Sequence, residues 1–313
     1  MAEQSGQFRI TALPKRLFFS ELLTGEYEFS CFVDLRELLA GGDAPERVAW
    51  SIRERAPAQG RLAGGRLLTS DELTSGRIWL AAALPAHWLE SELRVVVHAA
   101  WRRYTLRRPI ARYVQSQAFQ LPLAGQVLVL VGHRIGETHR AAWQIPAQQF
   151  AWDLLPLDHD GLRLLSGPLA DPLRADLFAG FGSEVLALAA GRVARAVDGH
   201  PDGELVGAYP ADAQPFLDDL RLAAGNYLVI DHGGGVYAFL AHLQRGSLAV
   251  REGQAVRAGQ PLGRLGNSGY SSGPHLHLHF MDGPDLLSAA PLPIALAAEG
   301  ASFAPQAGQI IAT

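Results

Sequence analysis

The sequence predicts a mainly β protein with two domains. An N-terminal β-sandwich-like domain is expected over residues 1–118, followed by an antiparallel β-barrel-like domain over residues 119–313. Short runs of β-branched, aromatic and leucine residues recur along most of the chain, and stretches rich in glycine and proline separate them. The 313 residues include 33 glycines and 19 prolines, and a chain of this length suits two domains.

The first domain is predicted from five β-type runs: FRITAL, YEFSCFV, RVAWSIRE, RIWLAAAL and ELRVVVHAAW. Turn signals such as GGDAP and RAPAQG lie between them, and this punctuation is typical of a β-sandwich. No group of metal ligands or nucleophiles stands in this region, because His87 and His98 are isolated. We therefore expect an accessory domain that positions substrate rather than one that covers a reactive site.

The second domain begins with the β-type run QVLVLV, which starts at residue 126. Few such runs occur over 154–183, and then they return in close succession, from EVLALAA through NYLVIDH and VYAFLAHL to HLHLHF. The glycines GGG at 233–235 predict a hairpin loop between two of these runs. Residues 211–225 are expected to form a loop with a helical turn, and both this segment and 154–183 are expected to line a groove.

Composition excludes several classes of protein. A formal net charge of −4 gives no bulk attraction for nucleic acid or for an anionic membrane, and no apolar run is long enough to span a bilayer. Cys31, the single cysteine, excludes an internal disulfide and is expected to be buried. The first residues show no apolar signal region, so we expect a cytoplasmic protein, or a periplasmic or secreted one if a signal peptide has been removed.

The stretch GPHLHLHF at residues 273–280 points to a metal site. Strand alternation puts His275, His277 and His279 on one face, where an HxH pair can meet one metal or its water. The HExxH motif of helical zinc sites is absent. Spacing alone leaves the other ligands open among His133, His139, Asp153, Asp158, His159, Asp160, Asp231, His232 and His242.

The segment from about residue 120 to 295 resembles the LytM-type, or lysostaphin-like, zinc endopeptidases of peptidase family M23. Four pieces carry the resemblance: GETHR followed by QQFAWD, then GSEVLALAAGRVARAVDG, then NYLVIDHGGGVYAFLAHLQRGSLAVREGQAVRAGQPLGRLGNSG, and last SSGPHLHLHFMDGPD. It implies one Zn²⁺ per chain, held by His139, Asp153 and His277. It also implies that His275 and His242 are catalytic residues outside the ligand set.

Two positions depart from the family pattern. The stretch between the first metal histidine and the aspartate is lengthened here, so His133 competes with His139 for the ligand position. Many family members have glutamate where this chain has His279. We expect His279 to lie at a strand end near the rim, without a chemical role.

The resemblance implies hydrolysis of bonds between small residues in peptidoglycan peptides by metal-activated water. The alternative is a non-catalytic relative that binds and regulates another cell-wall hydrolase, and the occupancy of all five family positions favours the enzyme. A biotinyl or lipoyl carrier, which AVREGQAVRAGQPLGRLG also resembles, is excluded because Lys15 is the only lysine. The oligomeric state is not predicted.

Overall fold

The computed structural model describes residues 10–13, 16–21, 27–54, 60–85, 88, 90–99, 102–135, 139, 145–158, 164–165, 173–208, 214–298 and 301–312. It is mainly β, which confirms the predicted fold class. The chain divides into two compact units, Met1–Tyr113 (unit 1) and Val114–Thr313 (unit 2). The boundary expected from sequence, between residues 118 and 119, lies a few residues further along the chain.

The strands of unit 1 are β1 Thr11–Leu13, β2 Leu17–Glu21, β3 Tyr27–Asp34, β4 Pro45–Glu54, β5 Arg61–Leu67, β6 Arg77–Leu84, β7 Glu90–Ala99 and β8 Arg102–Arg112. Two short helices, α1 Arg36–Ala40 and α2 Ser70–Ser75, connect some of them. The strand order is β1-β3-β2-β8-β7-β4-β5, and β6 pairs with β3.

A single apolar core holds unit 1 together. Phe29 and Val33 of β3 belong to the same buried cluster as Ile52 of β4 and Val95 of β7. Strands from the two ends of the sheet therefore face one another around this core, in the sandwich-like manner predicted. Cys31 lies in the cluster, where burial raises the pKa of its thiol, so the expectation of a buried, inert cysteine is confirmed.

The strands of unit 2 are β9 Phe119–Gln120, β10 Gln126–Val131, β11 Trp152–Pro156, β12 Glu184–Leu186, β13 Gly191–Val197, β14 Asn226–Asp231, β15 Tyr237–Leu243, β16 Ala255–Val256, β17 Pro261–Arg264, β18 Leu276–Met281, β19 Leu296–Ala298, β20 Ala301–Phe303 and β21 Ile310–Ala312. Within the described ranges, β12 pairs with β17, and β20, β19 and β9 form a small sheet of three strands.

The main sheet of unit 2 is antiparallel, with the order β16-β13-β14-β15-β18-β11-β10-β21. Its edge strands, β16 and β21, are short and, within the described part of the chain, do not pair with each other. The antiparallel β architecture is as predicted, but this sheet is open rather than closed into a barrel. Strands β15, β18 and β11 lie side by side near its centre, where they carry the candidate site.

Two local predictions are confirmed. Strands β14 and β15 form a hairpin across Gly233, Gly234 and Gly235, all three with positive φ, a conformation that glycine adopts without steric cost. The segment 211–225 contains a short helix, α3 Gln214–Asp218, and a 3₁₀ turn over Leu220–Ala224, while residues 211–213 lie outside the described residues. No helix in the described part of the chain is long and apolar enough to cross a membrane.

Candidate metal and catalytic site

The strand register brings together two residues that are far apart in sequence. Asp153 on β11 lies directly opposite His277 on β18, and Ala241 on β15 lies opposite His277 from the other side. Residues directly opposite one another in an antiparallel pair project from the same face of the sheet. The carboxylate and the imidazole therefore meet on one face of the main sheet of unit 2.

His139, Asp153 and His277 form a compact ligand group. Nε2 of His139 lies 3.0 Å from Oδ2 of Asp153, and Nδ1 of His277 lies 3.0 Å from Oδ1 of the same carboxylate. One ligand atom from each residue can be chosen so that all lie within 4.8 Å of one another, and no other such group occurs among the described residues. Two imidazoles and one carboxylate are donors that suit a zinc-like divalent ion, so the residues present fit a metal.

The charge states of these groups also suit metal binding. Burial by itself raises the pKa of Asp153, but the neighbouring His139 and His275 rings hold it well below the usual aspartate range. Burial lowers the pKa of His277 to about 4. Near neutral pH the aspartate is therefore ionised and His277 is neutral, and these are the forms that act as ligands.

His242 and His275 lie beside the ligand group. Nε2 of His275 is 3.5 Å from Oδ1 of Asp153, and the ring centroids of His242 and His275 are 4.7 Å apart. Each ring donates its Nδ1–H to a backbone carbonyl, at 2.8 Å, that of Ser268 for His242 and that of Gly273 for His275. A neutral imidazole carries one N–H, so both Nε2 atoms keep a lone pair that can accept a proton.

The backbone at His242 is strained. Its φ is +62°, and it is the one non-glycine residue of the described chain with positive φ. The pairing of β14 with β15 shifts register between Asn226 and Leu228, opposite this position. In a regular strand, His242 would face away from Ala241 and His277, whereas a bulge re-aims a side chain. A conformation that costs about 1–3 kcal/mol thus accompanies the placement of the ring beside His275.

Gly225 supports this arrangement through the backbone of Ser268. Its φ is +62°, and a Cβ there would lie 2.4 Å from the carbonyl carbon of Ser268, the residue whose oxygen holds His242. Positive φ alone costs an alanine about 1–2 kcal/mol. We expect Gly225→Ala to lower the free energy of unfolding by more than this amount. It should also lower kcat, because the carbonyl must move. Urea unfolding and turnover measure the two effects.

Gly246→Ala is the matched control for that substitution. Gly246 has a φ of +70°, but nothing lies within 4 Å of a Cβ built on it. It should therefore show the conformational cost alone and keep its turnover. Equal losses of stability and activity in the two variants would contradict the supporting role of Gly225.

His279 does not lie at the rim, contrary to the expectation from sequence. It is fully buried, and its ring stacks on Phe239, with centroids 4.8 Å apart and an interplanar angle of 21°. Its Nδ1 lies 3.0 Å from Nε2 of His277. Burial lowers its pKa well below the usual range, so the ring is neutral. The HLHLH alternation put it on the right face, but the depth of the strand in the sheet could not be inferred from that pattern.

The other candidate ligands lie elsewhere. His133 is fully buried and stacks on Trp152, with centroids 4.0 Å apart, so it is His139 that stands beside Asp153. His232 donates its Nδ1–H to the carbonyl of Ala190, and Asp231 accepts the backbone N–H of Gly233 in the hairpin. Asp158 is not in the ligand group, and His98 is an exposed residue of unit 1. His87, His159 and Asp160 lie outside the described residues.

Comparison with known proteins finds a similarity in part of unit 2. Residues 174–287 match the model of Peptidase family M23. Peptidoglycan DD-endopeptidase ShyA of Vibrio cholerae serotype O1 is 46% identical over 54 residues, which are 17% of this chain and 12% of that protein. Peptidoglycan DD-endopeptidase ShyC of the same organism is 42% identical over 57 residues, which are 18% of this chain and 13% of that protein. The chain thus matches only a small part of each relative's length.

Solved structures align with the chain at low similarity. A putative peptidase M23 from Pseudomonas aeruginosa has a TM-score of 0.32 and 16% identity, covering 80% of this chain and 87% of that one. The catalytic domain of lysostaphin from Staphylococcus simulans has a TM-score of 0.24 and 23% identity, and the alignment covers 36% of this chain and 68% of that one. The segment that matches the family model contains His242, His275 and His277 but begins after His139 and Asp153.

Proposed function

We propose that this chain, whose residues 174–287 match the model of peptidase family M23, is a zinc-dependent endopeptidase that cleaves bonds between small residues in peptidoglycan. One observation carries the proposal. The three-residue ligand group stands beside two histidines whose Nδ1 atoms are both bonded to carbonyls, so that both Nε2 atoms can accept a proton. Metal-assisted hydrolysis of an amide requires a metal site with proton-accepting groups beside it.

The metal would be held by His139, Asp153 and His277. Two neutral imidazoles and one carboxylate leave a divalent ion with a charge of about +1, and three protein ligands leave a position for water. When bound, zinc in such a site makes water a stronger acid and polarises a carbonyl group. Asp153 touches both histidines of the group, so its ionised carboxylate also orients their rings.

Proton transfer would be the work of His242 and His275. Hydrolysis forms a C–O bond to water, breaks the C–N bond and delivers a proton to the leaving amine. A histidine with a free Nε2 would accept the proton from water and return it to the amine, and its partner, when protonated on Nε2, would donate that N–H to the oxygen on which negative charge develops. The carbonyls of Ser268 and Gly273 fix both ring tautomers, so the rings are prepared for these roles before substrate binds.

The substrate proposal is supported by the printed names of the relatives ShyA and ShyC, both peptidoglycan DD-endopeptidases. A peptidoglycan substrate requires that the chain reach the periplasm or the cell surface. Unit 1, which contains no ligand group among its described residues, would position the substrate.

Metal removal tests the proposal. We expect chelation of the purified protein to abolish release of peptides from peptidoglycan, because the ligand group without metal cannot polarise the carbonyl. One equivalent of zinc should restore the activity. Soluble product is measured by chromatography. Activity that survives complete removal of metal would contradict the proposal, and a zinc-loaded protein that releases no product would favour the non-catalytic regulator.

A further inference from the structure

We propose that His279 is a positioning residue for the metal ligand His277, accepting the Nε2–H of His277 at its own Nδ1 and so leaving Nδ1 of His277 free for the metal. This inference rests on the metal site of the proposed function. It concerns the binding form of one ligand and assigns no chemical step to His279. None of the resemblances described above gives this residue a role.

The contacts of His277 carry the argument. Its Nδ1 lies 3.0 Å from Asp153, inside the ligand group, and its Nε2 lies 3.0 Å from Nδ1 of His279. A neutral imidazole has a single N–H, so when a metal takes the lone pair of Nδ1, the proton of His277 lies on Nε2 and faces Nδ1 of His279. An acceptor at Nε2 favours the tautomer with the proton there. That tautomer directs the lone pair of Nδ1 towards Asp153 and His139, where a metal would be held.

The position of His279 is fixed by the sheet. His277 and His279 are two residues apart on β18 and project from the same face. Phe239 lies directly opposite His279 on β15 and stacks on its ring. Because His279 is fully buried, water does not compete for Nε2 of His277 from that side. The strand and the stacked ring therefore hold the acceptor in place.

Packing alone does not explain a histidine at this site. A polar ring that is fully buried against an aromatic side chain costs free energy unless it is hydrogen-bonded, and an apolar ring would fill the same space without that cost. Within the described structure, the bond to His277 is the one hydrogen bond of the His279 ring, and Nε2 of His279 has no hydrogen-bond partner. The polarity of His279 is therefore directed at the metal ligand.

Two substitutions separate the hydrogen bond from the packing. His279→Phe keeps an aromatic ring of similar volume but removes the acceptor, whereas His279→Asn offers an amide oxygen at the branch position of Nδ1 with a smaller side chain. In the full-length protein we expect His279→Phe to weaken zinc binding by about 10–100-fold, the usual effect of losing an outer partner of a ligand. His279→Asn should stay closer to the wild type, although it packs less well. Competition with a chromophoric chelator measures the affinity.

The d–d absorption of the Co²⁺-substituted proteins gives a second readout, which a change in packing alone should not move. We expect an altered spectrum for His279→Phe and a native one for His279→Asn. Native zinc affinity in His279→Phe would overturn the inference, as would an Asn variant that loses as much affinity as the Phe variant.

A third measurement needs no variant and so survives a failure of folding. ¹⁵N NMR of the zinc-loaded wild type should show the His277 proton on Nε2 and an unprotonated Nδ1 in His279. A proton on Nδ1 of His279 would overturn the inference. If the wild type binds no zinc or does not hydrolyse peptidoglycan, the proposed function fails instead, so the two failures are distinguishable.

Discussion

Replacing His277 with alanine is expected to remove the bound zinc. His277 supplies one of the three ligand atoms of the group, and its two ring nitrogens lie 3.0 Å from Asp153 and from His279. Its loss leaves one imidazole and one carboxylate, too few ligands to hold zinc tightly. The loss of affinity should exceed the about 10–100-fold expected when only an outer partner is removed. Elemental analysis after dialysis measures the zinc content, which should fall from one equivalent per chain to a small fraction.

A second effect separates His277→Ala from a general loss of structure. Without its imidazole partner, the buried carboxylate of Asp153 keeps His139, so the metal-free protein should still fold, as circular dichroism would show. His98→Ala provides the control, since His98 is an exposed histidine of unit 1 and its removal should leave zinc at one equivalent. Stoichiometric zinc in His277→Ala would rule out His277 as a ligand.

The two candidate catalytic histidines are expected to behave in the opposite way. His242→Ala and His275→Ala should retain zinc but lower kcat by about 10²–10⁴-fold, the range for removing a general acid or base. The reason is geometric, because both rings stand beside the ligand group while neither belongs to it. The fall should appear in kcat more than in KM, since proton transfer is required in the transition state rather than for binding.

His200→Ala is the control for this pair. The backbone N–H of His200 donates to the side chain of Asn226, and the backbone carbonyl of His200 accepts from it. The side chain of His200 should therefore be dispensable for turnover. If His242→Ala or His275→Ala turned over substrate at the wild-type rate, that residue would have no role in proton transfer. If either lost its zinc, the division between ligands and catalytic residues would be wrong.

Part of the site could be predicted from sequence, because strand alternation and turn glycines are patterns of neighbouring residues. The alternation HLHLHF predicts a strand with three histidines on one face; β18 contains His277 and His279, and His275 lies immediately before it. The glycines 233–235 specify a hairpin in the same local way, and the hairpin forms. Family resemblance added His139, Asp153 and His242, which no periodicity could have identified.

Other features depend on contacts that a sequence pattern does not contain. The choice between His133 and His139 follows from packing, because Trp152 covers the ring of His133 in the core while His139 reaches Asp153. The orientation of His242 follows from a bulge opposite β14, which reverses the face that simple alternation assigns to it. The main sheet is open because its edge strands, β16 and β21, do not pair with each other within the described residues, and no sequence pattern showed this.

The sequence by itself determined that this is a β protein with His277 and His279 on one strand face, since side-chain alternation is a property of the strand alone. Only the tertiary structure decided which groups those histidines meet. Asp153 and His277 are 124 residues apart and meet because β11 pairs with β18 in one register. A shift of one residue would turn the carboxylate to the opposite face. The burial of His279 behind Phe239 likewise depends on the neighbouring strand β15, and burial makes its one hydrogen bond to His277 matter.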